Sequence, residues 1–143
     1  MSRADSYFGG GAQEIEQAAV LAKERKTKIA VILEVSGAFH SSFMKGAALK
    51  LGAEIDRIKI NLPEIPVISN VTGRPFDSVG QIRENLVKQV YSSVLWEDSM
   101  RFILTNSVNN FIEFGPGKVL KGLMRRIDPN AQVASIEKKE DIV

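Results

Sequence analysis

Short β-branched and apolar runs alternate along this chain with longer stretches whose apolar residues recur at helical spacing, and this alternation limits the possible folds more than any other feature. Segments 28–35 (KIAVILEV), 67–69 (VIS), 111–114 (FIEF) and 132–136 (QVASI) have the length and residue types of strands. Ile15, Ala18, Ala19 and Ala22 mark an amphipathic helix ending near Lys26. Phe43, Met44, Ala47, Leu51 and Ile55 mark a second, which Gly46 weakens by up to about 1 kcal/mol. Ser78 and Gln81 form an S-x-x-Q capping box that opens a helix to about Tyr91. Another helix runs from about Trp96 to Thr105, and Lys118 opens a last one with Val119, Leu120, Leu123 and Ile127 facing inward. Strands separated by helices predict an α/β domain with a mostly parallel sheet and flanking helices. The sheet expected is narrow, and its strands call for neighbours.

Composition narrows the function. The 19 Lys and Arg and 17 Asp and Glu are interspersed, whereas nucleic-acid binding needs clustered positive charge, so no nucleic-acid partner is expected. The absence of cysteine excludes disulfides and thiolate chemistry, and a single histidine leaves no ligand set for a metal. Runs such as residues 29–33 are far too short to cross a bilayer, and the N-terminus has no basic-then-apolar secretory pattern. A cytoplasmic protein without membrane attachment is expected.

Few residues offer chemistry. His40 follows a strand on a glycine-containing turn, where α/β enzymes place working groups. Taken alone, it reads more simply as a structural histidine bonded to a turn. Gly115-Pro116-Gly117-Lys118 lies between a strand and a helix, a place where backbone N–H groups can hold an anion. It lacks the full phosphate-loop pattern, and spacing favours a tight turn. Asn70 stands at a strand end, where asparagine is commonly a turn residue. Glu97 and Asp98 are adjacent, so they diverge on a helix and suit its N-terminal dipole better than paired acid–base work.

Three segments taken together carry a resemblance. Residues 35–44 (VSGAFHSSFM), 66–71 (PVISNV) and 111–120 (FIEFGPGKVL) resemble, in order and spacing, three blocks of the malonyl-CoA:acyl carrier protein transacylases, an acyltransferase family. The similarity runs from roughly Gly10 to Ile127 and corresponds to that family's C-terminal half. It implies part of an α/β-hydrolase-like acyltransferase core over residues 36–143, preceded at 1–35 by the last helix and strand of a ferredoxin-like subdomain and a flexible N-terminus. It also implies malonyl transfer from malonyl-CoA to the phosphopantetheine thiol of acyl carrier protein, in fatty acid or polyketide biosynthesis, without a cofactor. His40 takes the place of the family's general base, and a backbone carbonyl at Asn70 is expected to orient it. Phe39 matches the residue carried by malonyl-preferring members, a ring that leaves little room for an α-methyl branch. Gly115 and Gly117 form a structural turn near the site.

The sequence contains no G-x-S-x-G, and Ser36, Ser41 and Ser42 lie on no nucleophile elbow. The nucleophile, the glutamine-rich loop of the oxyanion hole and the malonate-binding arginine are expected in the half preceding Met1. The chain alone is therefore expected to be inactive. A competing reading makes it a non-catalytic module that binds acyl carrier protein or completes a split transacylase, through that missing half or by self-association of exposed apolar surface.

Overall fold

The computed structural model describes residues 10–27, 30–32 and 37–142. Helix α1 (Ala12–Glu24) is followed, after a short 3₁₀ turn at Ser42–Met44, by α2 (Lys45–Ile55), α3 (Val79–Lys88) and α4 (Trp96–Thr105). Strand β1 (Asn110–Phe114), helix α5 (Val119–Ile127) and strand β2 (Gln132–Ile136) form a βαβ unit. Its two strands run parallel, with Ile112 opposite Ala134 and Phe114 opposite Ile136. The α/β class, with a short parallel sheet and flanking helices, is as the alternation implies. Helix α5 packs against β2 and α4, and α2 packs against α3.

Local chemistry explains the boundaries. Ser78 caps α3 by accepting from the Gln81 N–H at 3.2 Å. The return bond of the expected capping box goes one residue further back: Gln81 Oε1 accepts from the Asp77 N–H at 3.0 Å. Helix α3 stops at Lys88 rather than Tyr91 because the Tyr91 and Ser92 N–H groups both turn back to the Lys88 carbonyl, at 3.1 and 2.9 Å. Glu97 and Asp98 lie in the first turn of α4, beside its positive end, and Glu97 also pairs with Arg101.

Two expected strands differ. Residues 67–69 form no strand, only an isolated antiparallel bridge between Ile68 and Pro75. Their main chain is used locally, Ser69 N–H bonding Arg74 O at 2.9 Å and Phe76 N–H bonding Val67 O at 3.1 Å. Pro75 cannot donate to extend that ladder. Of the run 28–35, residues 30–32 adopt no strand and the others lie outside the described residues, as does the expected domain boundary at 35/36.

The core is sparse. Among the described residues, the buried apolar side chains are Ala48, Ile55, Ile82 and Met124. Phe43, Leu51, Val119 and Leu120, expected to face inward, are instead exposed. On α2 the buried stripe is centred on Ala48, one position on from Ala47, because that face meets α3. On α5, Met124 takes the inner position, leaving the first turn outside. Arg83 of α3 ties the two helices together, its guanidinium donating to the carbonyls of Ile55 and Ile58 at the C-terminal end of α2. The Ile55 carbonyl also accepts from the Ile58 N–H at 3.1 Å, so the guanidinium joins a backbone turn that closes the helix end.

Candidate functional site

His40 is built into its turn by main-chain bonds. It has a left-handed backbone, φ 61°, which few residues other than glycine and asparagine adopt readily. The conformation is held by its own N–H, which donates to Val90 O at 3.0 Å, and by Ser41 Oγ, which donates to Ala38 O at 2.6 Å. The ring then meets the chain just beyond the end of α3. Nδ1 lies 2.8 Å from Gln89 O and 3.1 Å from Ser92 O.

Carbonyl oxygens only accept, so both contacts require the proton on Nδ1. The neutral ring therefore keeps its lone pair on Nε2. The side chain is exposed, and Nε2 makes no hydrogen bond among the described residues. An imidazole held in this tautomer can take a proton at Nε2 while Nδ1 stays bonded to the same carbonyls. It then remains in place in both protonation states.

Phe39, just before it, is 54% exposed, and its ring lies over Gly37: a Cβ on Gly37 would come within 3.4 Å of the ring. Asn70 is exposed too, but its carbonyl accepts from the Leu95 N–H at 2.8 Å and so anchors the start of α4. The carbonyls at the His40 ring are those of Gln89 and Ser92, where Asn70 was expected. The reason is local. The segment around Asn70 closes on itself through the Gly73 N–H to Ser69 O bond of 2.8 Å, and it packs on α4, with the Arg74 guanidinium 4.9 Å from the centre of the Phe102 ring.

The Gly115–Gly117 turn shows the other half of the local chemistry. Gly115 and Gly117 have φ of 129° and 86°, with open space around both, so the backbone and not crowding demands glycine. Glu113, buried in β1, reaches across the turn. Its Oε1 accepts from the Leu120 N–H at 2.9 Å, and its Oε2 from the Lys121 N–H at 3.2 Å and the Ser135 hydroxyl at 3.2 Å. Burial alone raises its carboxyl pKa. The two amides, the hydroxyl and the Lys121 ammonium outweigh this and hold it below the ordinary glutamate value. Two of the amides at the start of α5, those of Leu120 and Lys121, are thus already bonded to a carboxylate. No hydrogen bond or ion pair among the described residues joins this turn to His40.

Sequence reading missed Gln89, Ser92 and Glu113. The first two act through carbonyls, which leave no residue-type signal. Glu113 had one: a lone acid inside an apolar strand just before a glycine turn.

The chain is similar to known proteins over nearly all its length. It is 41% identical to the malonyl CoA-acyl carrier protein transacylase of Bacillus subtilis (strain 168), over 94% of this chain and 43% of that protein. The crystal structure of the malonyl-CoA:acyl carrier protein transacylase of Xanthomonas oryzae pv. oryzae superimposes with a TM-score of 0.87 at 35% identity, covering 92% of this chain and 42% of that one. A malonyl-transacylase solved in complex with its type II PKS acyl-carrier protein gives a TM-score of 0.87 at 34% identity, covering 92% and 43%. No family model matches the chain.

Fold and likeness together define the class: this is an α/β chain that shares the fold of the solved transacylases over the matched region. More narrowly, the chain is similar to malonyl CoA-acyl carrier protein transacylases, and it spans less than half the length of the relatives it matches, 43% in the Bacillus subtilis case.

Proposed function

We propose that this chain supplies the proton-transferring half of a malonyl transfer from malonyl-CoA to acyl carrier protein, with His40 as general base and then general acid. The carrying observation is the 2.8 Å contact of His40 Nδ1 with Gln89 O, which leaves Nε2 as the basic atom. In this reading a serine hydroxyl, from polypeptide outside these 143 residues, gives its proton to Nε2 as its oxygen attacks the malonyl thioester carbonyl. The imidazolium returns that proton to the departing coenzyme A thiolate. In the second half-reaction Nε2 takes the proton of the phosphopantetheine thiol, whose sulfur attacks the acyl-serine ester, and the imidazolium returns that proton to the departing serine oxygen, which restores the free serine and the neutral ring. The chemistry needs no cofactor. Gln89 and Ser92 serve as positioning residues through their main chain, the part first assigned to Asn70.

Phe39 has the role of restricting the α-carbon substituent, and exclusion of one methyl is worth about 1–3 kcal/mol. Acyl carrier proteins are acidic, and the chain's formal charge of +2 suits such a partner. Among the described residues no helix is long and apolar enough to cross a membrane. The reading places the reaction in the cytoplasm, in fatty acid or polyketide biosynthesis. Residues 1–35 are assigned to the ferredoxin-like subdomain and 36–143 to the catalytic core.

Because His40 is the only histidine, imidazole ¹⁵N NMR reads it without interference. The expected spectrum at neutral or alkaline pH is that of the Nδ1–H tautomer. A dominant Nε2–H form would overturn the assignment. Malonyl transfer should appear only when a polypeptide bearing a G-x-S-x-G elbow is present. Full transfer by the chain alone would refute the role given to an outside serine.

A further inference from the structure

The His40 ring is bonded across the space between two helices. His40 stands at the entrance to the helical run that begins at Ser42 and leads into α2. The carbonyls that hold the residue, those of Gln89, Val90 and Ser92, stand at the exit of α3. The ring contacts of 2.8 and 3.1 Å persist only while the two helices keep their spacing. Stretched beyond about 3.5 Å, such a contact is no longer a hydrogen bond.

The side chains between two helices fix how closely they approach. On the inner face of α2, between the buried Ala48 and Ile55, stands Gly52. A Cβ at Gly52 would lie 3.5 Å from Cγ2 of Val87 on α3, so a methyl group would complete the contact and a larger side chain would press on Val87. Val87 is two residues before Gln89, about 3 Å along the helix axis. Its carbonyl accepts from the Val90 N–H at 3.4 Å, and the Val90 carbonyl accepts from the His40 N–H at 3.0 Å. One turn earlier, Arg83 ties α3 to the carbonyls of Ile55 and Ile58. With α3 held there, pressure on Val87 displaces the end of the helix that carries Gln89.

We infer that Gly52 is a positioning residue for the proton transfer. By leaving room for Val87 it lets the Gln89 and Ser92 carbonyls reach Nδ1, and so it maintains the tautomer whose basic atom is Nε2. Gly52 touches no reacting group and acts only through Val87 and the α3 exit. The inference rests on the role proposed for His40.

The test is imidazole ¹⁵N NMR of the full chain, read beside helical circular dichroism, with malonyl transfer followed in a mixture that contains a G-x-S-x-G polypeptide. In Gly52→Leu the Nδ1–H signature should give way to a mixture of the two tautomers. Transfer should show kcat lowered about tenfold or more with KM little changed. Adding Val87→Ala to that variant removes the pressure and should restore both readouts. Gly52→Ala, the conservative change, adds only the methyl that fits and should keep the Nδ1–H form. Ala53→Leu puts the same side chain on the exposed side of α2 and should leave the ring signal unchanged. A folded Gly52→Leu chain that keeps the Nδ1–H form would overturn the inference. So would a loss that Val87→Ala does not repair, whether of the ring signal or of the helices, and so would an equal loss in Ala53→Leu. The spectrum of the unaltered chain separates the two levels: an Nε2–H form there sinks the His40 assignment and this inference with it, whereas an Nδ1–H form indifferent to position 52 sinks this inference alone.

Discussion

Two turns in this molecule look alike in sequence and differ in what they leave free. Each follows an apolar run, each contains glycine, and each forces a residue to positive φ: His40 at 61° in one, Gly115 and Gly117 at 129° and 86° in the other. At the Gly115–Gly117 turn, two amides at the start of α5 are taken by a carboxylate from the same βαβ unit, so these polar groups close on themselves. At the His40 turn, the carbonyls past α3 take one ring nitrogen and leave the other open. A turn that satisfies its own polar groups is structural, and one that holds a titratable ring by a single edge is equipped for chemistry. Which kind a turn is depends on where its partners come from.

That contrast predicts opposite responses. His40→Ala should lower malonyl transfer in the reconstituted system by about a hundredfold or more while leaving Tm unchanged. Its persistence would erase the distinction between the turns. Glu113→Ala should do the reverse, giving the largest Tm loss of these variants because two amides and a hydroxyl lose their buried acceptor.

Acid should mimic that loss. The Glu113 carboxyl titrates lower in the folded chain than in the unfolded one, so its stabilisation is complete above the ordinary glutamate value and fades as pH falls through the folded value. Thermal melts should show falling stability below about pH 4.5, with a shallower dependence in Glu113→Gln. Gly117→Ala should cost about 1–2 kcal/mol, since φ of 86° strains any side chain even in open space. Ser41→Ala, which removes the 2.6 Å bond closing the His40 turn, should cost about 1 kcal/mol by chemical denaturation. It should also broaden the His40 NMR signal.

Periodicity was enough for the helices and for the βαβ unit. The expected spans Trp96–Thr105 and Gln132–Ile136 coincide with α4 and β2, and Ser78 caps its helix as its position implies. The candidate site was legible to the level of His40 and no deeper. Its supports are main-chain oxygens of Gln89 and Ser92, whose residue types are incidental to the contact. Asn70 had the side chain that draws attention, yet its carbonyl serves α4. The inward faces of α2 and α5 were misjudged at Phe43 and Val119 because an apolar residue at helical spacing is buried only if a layer stands opposite it. Residues 67–69 had strand composition, but Pro75 stands where a ladder partner would have to donate.

Arg83 gives the His40 pose a remote dependency. A helix rises about 1.5 Å per residue, so this guanidinium pins α3 roughly 9 Å upstream of Gln89. Two diverging carbonyls, those of Ile55 and Ile58, receive its fork. Lysine, a single point charge, cannot reproduce that grip. A screen for loss of transfer should therefore return changes at position 83 among its hits, in molecules whose imidazole, elbow and substrate contacts are all intact but no longer in register.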